Sequence, residues 1–138
     1  MPIELHGNTY EYVSERMASL HRDHGDDYDL DTVKLVDDPE TGRIEMKTSI
    51  TLYQTKRDGV WVPIPAGRTK TGMAEEIRNS SKITTTSAIE VCETSSIGRA
   101  LAACGYHPDG TYASADEMEN AIEQQDQDKN QLTEQNPK

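Results

Sequence analysis

The hydrophobic positions of this chain change period along its length, and each change marks an element. From Arg43 to Tyr53, Ile44, Met46, Thr48, Ile50 and Leu52 alternate with Arg43, Glu45, Lys47, Ser49, Thr51 and Tyr53. That is the two-residue period of a strand with one core face and one wet face. Lys56-Arg57-Asp58-Gly59 predicts a hairpin tip, because Asp-Gly suits the positive φ angles of a tight turn, and Val60-Trp61-Val62 begins the return strand. Pro63 and Pro65 lack the N–H that a central strand needs, so the chain lies at an edge or leaves the sheet there. A third segment, Arg68 to Glu76, alternates again and puts Arg68 and Lys70 on one face. Upstream, Asp31 to Val36 reads as a short strand, closed by the turn Asp38-Pro39-Glu40-Thr41-Gly42.

Other stretches have the helical period. Asn8, with Glu11 three residues later, has the form of a capping box, and Tyr10, Val13, Met17 and Leu20 follow on one face until His24-Gly25. Ser87 and Glu90 repeat the box for a helix running to Ala103 or Cys104, stopped by Gly105 and Pro108. Its Ala88, Cys92, Ala100 and Ala103, beside Ile89, Ile97 and Leu101, make a small-residue helix able to lie very close to a sheet. Gly98 in its middle costs about 1 kcal/mol relative to alanine, so close packing or a close ligand is the expected compensation. Ser114 and Glu117 open a short last helix with Met118, Ala121 and Ile122 on one face. Beyond Gln124 a single aliphatic residue is left, too little apolar surface to offset ordering entropy. The expectation is one α+β domain over residues 1–123 and a disordered acidic tail over 124–138. In that domain an N-terminal helix and an antiparallel sheet of three or more strands pack with the long small-residue helix and a short C-terminal one.

Composition agrees with one modest core: 138 residues, 33% hydrophobic, 28% charged and 5% aromatic. No run approaches the roughly 18 apolar residues that cross a bilayer, and the N-terminus lacks a signal-peptide pattern, so a soluble, cytoplasmic protein with no membrane partner is expected. Cys92 and Cys104 stand twelve residues apart on the predicted helix, about 18 Å along its axis, which excludes a bridge between them.

The net charge of -11 excludes a uniformly basic polyanion binder, but the charge is unevenly spread. Residues 1–33 carry eight acids against Arg16 and Arg22, and residues 100–138 carry eight acids against Lys129 and Lys138. Between Arg43 and Lys82 the balance reverses, with Arg43, Lys47, Lys56, Arg57, Arg68, Lys70, Arg78 and Lys82 against Glu45, Asp58, Glu75 and Glu76. A positive hairpin sheet fits nucleic-acid binding or a merely solvated face. Tyr53 and Trp61 flank the tip, either as flat surfaces for unpaired bases or as a cross-strand aromatic pair.

Catalytic patterns are weak. His21-x-x-His24 does not have a standard zinc spacing, Glu45, Glu75 and Glu76 form no recognised two-metal order, and neither a Walker loop nor a Gly-x-Ser-x-Gly elbow occurs. No catalytic residue, metal or cofactor is expected.

The run Glu90-Val91-Cys92-Glu93-Thr94-Ser95-Ser96-Ile97-Gly98-Arg99-Ala100-Leu101-Ala102-Ala103-Cys104-Gly105-Tyr106, followed by Ala113-Ser114-Ala115-Asp116-Glu117, carries a resemblance. With His6-Gly7-Asn8-Thr9-Tyr10, the strand Arg43 to Tyr53 and Gly72-Met73-Ala74-Glu75-Glu76 in order, residues 5–122 resemble the phage single-strand annealing and single-stranded-DNA-binding recombination proteins. These are related to the Rad-fifty-two-like superfamily of ring-forming annealers. The resemblance implies a sheet of three or more strands on the Arg99 helix, protomers associated into rings or filaments, and single-stranded DNA in a groove between hairpin and helix. It also implies partners such as a phage exonuclease or a single-strand-binding protein, in a bacterial host cytoplasm. Arg99 matches the family's arginine facing the bound backbone, and Lys56 and Arg57 take the basic hairpin position by topology. The candidate DNA-binding set is therefore Arg99, Lys56, Arg57, Arg68, Lys70, Lys47, Arg43, Trp61 and Tyr53. Arg99 alternatively pairs with Glu75 or Glu76 as a structural ion pair.

The expected function is ATP-independent binding and annealing of single-stranded DNA in phage recombination or replication, which needs no covalent step. Rival readings are an acidic phage protein or DNA mimic acting on a host factor, a metal-dependent nuclease on Glu45, Glu75 and Glu76, and a single-strand binder that never anneals.

Overall fold

The computed structural model describes residues 2–5, 8–78, 82–108 and 112–122, with 82–86 as backbone only. The expected tail, 124–138, lies outside the described residues. In chain order the elements are β1 (Ile3–Leu5), β2 (Asn8–Tyr10), α1 (Val13–His24), β3 (Tyr28–Asp37), β4 (Arg43–Arg57), β5 (Val60–Ile77), α2 (Lys82–Ala103) and a short helix α3 over 115–122. β1 and β2 form a small antiparallel pair, and β3-β4-β5 a three-stranded antiparallel sheet with β4 in the centre.

The first helix begins later than the sequence pattern implies. Asn8 lies in β2, paired with Leu5, and Tyr12 precedes the first turn. The free N–H groups of that turn are taken by carboxylates, Tyr12 N–H by Glu15 at 2.9 Å and Val13 N–H by Asp116 at 2.7 Å. An acid from the far end of the chain thus does what Asn8 was expected to do. The helix ends at His24 as expected, with Gly25 at φ 58° and its N–H on His21 O.

The hairpin follows the sequence closely at its turn, where Asp58 (φ 49°) and Gly59 (φ 78°) take the two positive-φ positions. Its return arm differs from expectation, because Val60 to Ile77 is one strand rather than two segments. β5 hydrogen-bonds only to β4, so prolines on it interrupt no second ladder. The chain leaves that ladder briefly: Leu52 pairs with Arg68 and Gln54 with Pro63, setting Tyr53 against the bulge 64–67. Gly67 closes the bulge at φ 74°, where a Cβ would stand 2.6 Å from Thr51 Cγ2.

Ile44, Met46, Thr48 and Ile50 on β4 are buried under α2, and two apolar clusters result. One joins Ile44 and Met46 to Ala88 and Cys92, and the other joins Ile50 to Val13, Leu20, Ala100 and Leu101. The small-residue helix does approach the sheet closely, and the contact is Gly72 of β5, where a Cβ would come within 2.2 Å of Ala100 N. Gly98 faces the other way, towards Val13 of α1, where a Cβ would meet Val13 Cγ2 at 2.7 Å. Close packing is therefore what offsets its helix cost. Ser87 breaks helical geometry (φ -134°, ψ 31°), so a kink in α2 stands where the capping box was expected. Polar groups in the core are chained: Thr32 to Thr48 and Thr48 to Ser96 at 2.8 Å each, and Ser96 to Glu93 O at 2.9 Å.

Candidate nucleic-acid interface

The central strand and its turn carry the candidate residues, but the pleat and the ion pairs divide them. Residues opposite one another in an antiparallel pair share a face. Ile50↔Lys70 and Leu52↔Arg68 therefore place Lys70 and Arg68 on the α2 side, while Lys47, paired with Met73, lies on the uncovered side. Arg68 and Lys70 line a shallow recess with Leu52, Gln54, Ile64 and Cys104. Burial pushes the Cys104 thiol up to about 11, with Lys70 opposing the shift, so the sulfur there is a packing group and not a thiolate.

At the tip, Lys56 and Trp61 are cross-strand partners, with Lys56 Nζ 5.7 Å from the Trp61 ring centroid. The other contact of that ring is His24 at the end of α1, edge-on with centroids 5.0 Å apart. The cross-strand aromatic pair of Tyr53 and Trp61 does not form, because Tyr53 stands alone in the bulge. Its hydroxyl donates to the Asp29 carboxylate, and that bond raises its pKa. Tyr53 is thereby committed to the sheet, whereas Trp61 stays 37% exposed.

Arg43 and Arg99 are paired with acids. Arg43 Nη2 lies 2.5 Å from Glu45 and its Nε 3.2 Å from Glu75. Arg99 Nε lies 3.2 Å from Glu117, neither Glu75 nor Glu76 being its partner, and Tyr112 OH donates to Arg99 O at 2.9 Å. Arg99 projects into a groove of about 580 Å³ between β5 and α3, lined also by Glu45, Glu75, Glu76, Glu117, Met73 and Met118. Burial raises the carboxyl pKa of both Glu76 and Glu117 there, opposed by an Asn120 hydrogen bond at Glu76 and by Arg99 and Arg16 at Glu117.

Charge therefore segregates along the sheet. The end near Arg43 and Arg99 is an acidic groove, and the hairpin end is cationic. Among the described residues, Lys47, Lys56, Arg57, Arg68 and Lys70 have no ion-pair partner. Glu45, Glu75 and Glu76 do share the groove, yet Arg43 holds two of them, and among the described residues no group of three or more His, Cys, Asp or Glu is arranged to hold a metal ion. Among the described helices none is long and apolar enough to cross a membrane.

Arg16 is the largest side chain that sequence reading left unassigned. It is wholly buried, donating from Nη1 to Gly98 O at 2.9 Å and from Nη2 to Ala113 O at 3.0 Å, and burial lowers its pKa. The signal was present, since Arg16 sits three residues after Val13 and four before Leu20, on the buried stripe. His24 continues that stripe, four residues after Leu20, and is buried in the same way.

No known protein family, curated protein or solved structure matches this chain.

Proposed function

We propose that this chain binds single-stranded DNA along the hairpin end of the sheet and promotes the pairing of complementary strands without ATP. The observation that carries the reading is the contrast between the paired arginines, Arg43 and Arg99, and Lys56, Arg57, Arg68 and Lys70, which have no ion-pair partner among the described residues. Unpaired cations on one structural arm can each release a counterion to solution when a phosphate replaces it, giving a salt slope of about -0.7 per contact with single strands. Trp61, held beside them, supplies a stacking surface of about 1–3 kcal/mol per base. Stacked, splayed bases remain open to a complementary strand, and no bond in the DNA is made or broken.

The resemblance adds Arg99 as a phosphate contact. Its guanidinium is 48% exposed although the Glu117 carboxylate it meets is only 13% exposed, so a phosphate can reach Arg99 from solvent and compete with that carboxylate. Self-association of protomers would multiply a weak site. The cytoplasm of a bacterial host and a phage exonuclease or single-strand-binding partner belong to the same reading.

Annealing of two complementary labelled oligonucleotides, followed by fluorescence transfer without nucleotide, tests this directly. Pairing faster than the spontaneous rate is expected. Binding without acceleration would leave a protective single-strand binder, and absence of binding would favour an acidic interaction protein.

A further inference from the structure

The recess at the end of α2 collects hydrogen-bond donors and no counter-charge. Leu52 and Gln54 lie two residues apart on β4, and Arg68 pairs with Leu52 and Lys70 with Ile50, so Gln54, Arg68 and Lys70 share the α2 face. With Ile64 of the β5 bulge and Cys104 after α2 they line a space of about 90 Å³. The side chains of Gln54, Arg68 and Lys70 have no hydrogen-bond or ion-pair partner among the described residues, and among those residues no carboxylate lines the recess. The carbonyls at the end of α2 do not supply the missing acceptors. Ala100 O and Leu101 O accept from the Cys104 N–H, Ala102 O from the Gly105 N–H, and Arg99 O from the Tyr112 hydroxyl. The Cys104 thiol, pushed up to about 11 by burial, stays protonated at neutral pH and brings no negative charge.

That donor set selects an oxoanion. A guanidinium fork and an ammonium are the side chains that recognise phosphate oxygens most strongly, and a carboxamide N–H adds a neutral donor. Size then decides which phosphate. Pockets that hold a whole small molecule span about 300–1,000 Å³, so this recess has room for one phosphate group and none for its sugar or base. A phosphodiester within a strand carries a sugar on both sides. A terminal monoester carries one, leaves its other oxygens free, and brings a charge of about -1.5 to -2 to the two cations. The recess also opens on the face that holds Trp61, since Gln54 and Lys56 are about 7 Å apart along β4 and Trp61 pairs with Lys56. We infer that the recess of Gln54, Arg68 and Lys70 seats the terminal phosphate of a single strand, with the nucleotide that carries it lying towards Trp61.

This seat rests on the proposed single-strand binding and adds to it a preference for phosphorylated strand ends. Two measurements test the seat and the strand binding separately. In the first, the nitrogen-15-labelled chain is titrated with inorganic phosphate against chloride at equal ionic strength, followed by NMR. Saturable amide shifts centred on Gln54, Arg68, Lys70 and Cys104 are expected. In the second, fluorescence anisotropy compares internally labelled oligo-dT carrying a 5′-phosphate, a 3′-phosphate or hydroxyls at both ends. A phosphate at one end is expected to tighten binding at least about 10-fold, the effect of one hydrogen bond to a charged group. Arg68→Gln and Lys70→Gln, with far-ultraviolet circular dichroism unchanged, are expected to lose both that preference and the phosphate shifts. Lys56→Ala/Arg57→Ala is expected to weaken binding of all three strands and keep the preference. Equal binding of the three strands, absence of saturable phosphate shifts, or a preference that survives both glutamine substitutions overturns the seat and leaves single-strand binding in place. Phosphate shifts without binding of any strand would sink the single-strand reading and the strand-end assignment together, leaving a site for free phosphate.

Discussion

Lys56 Nζ stands 5.7 Å from the ring centroid of Trp61, its cross-strand partner, while His24 meets the same ring edge-on. The indole is held by the hairpin on one side and the end of α1 on the other, so little freedom is left to lose when a base stacks on it. Trp61→Ala is expected to weaken single-strand binding about 5- to 150-fold, the equivalent of about 1–3 kcal/mol for one stacked base. Fluorescence anisotropy with labelled oligo-dT checks this. Unchanged affinity in a folded variant removes the indole from the site.

Arg16 and Arg99 separate structure from surface. Arg16→Met leaves Gly98 O and Ala113 O without their donors in a buried setting, and a loss of about 2–4 kcal/mol in urea unfolding is expected. Arg99→Ala removes a half-exposed cation from a largely buried carboxyl and is expected to lower stability by less than Arg16→Met does, while weakening single-strand binding. Equal destabilisation by the two substitutions would contradict the assignment of Arg16 as the core cation.

Gly72 tests how closely α2 lies on the sheet. A Cβ there would fall 2.2 Å from Ala100 N and 2.6 Å from Arg99 C, both backbone atoms that cannot turn aside. Gly72→Ala is expected to lower stability by about 1–3 kcal/mol or more, read from the urea midpoint. Gly25→Ala, with open space around its Cβ position, serves as the contrast for positive-φ strain alone.

Much of this architecture is written locally in the chain. The alternation from Ile44 to Leu52 and the Asp58-Gly59 turn specify the hairpin because strand period and turn geometry depend on neighbours in sequence. Ser114 does accept the Glu117 N–H at 3.2 Å, as the capping pattern implies. The start of α1 was illegible for the opposite reason, since the acid that caps Val13 is Asp116. The division of the cations was hidden too. Counting charges from Arg43 to Lys82 makes one positive block, and only the fold brings Glu75 to Arg43 and Glu117 to Arg99, leaving the hairpin-end cations without an ion pair among the described residues. The prolines of β5 pointed to an edge strand, and the structure has one, but the continuous pairing with β4 on either side of the bulge depends on a partner strand that local propensity does not report.

Asp37 gives a pH signature on the β3 side. Arg78 at 2.7 Å, with Lys34 at 3.1 Å, lowers its carboxyl pKa from the ordinary 3.8 to about 2. A carboxyl whose folded pKa lies below its unfolded value contributes stability that is present above 3.8 and lost as pH falls through about 2. In Arg78→Ala the titration of the Asp37 carboxyl, followed by NMR, is expected to move back up towards 3.8. A titration that stays at about 2 would assign the shift to Lys34 alone.

Single-strand recognition by the hairpin end is tested most directly by anisotropy titration of labelled poly-dT beside a duplex of equal length, at low and moderate salt, with the wild type and with Lys56→Ala/Arg57→Ala. The expected result is a salt-sensitive preference for the single strand that the double substitution weakens without changing the far-ultraviolet circular dichroism. Equal binding of both DNAs, or an affinity that the double substitution leaves intact, would contradict it.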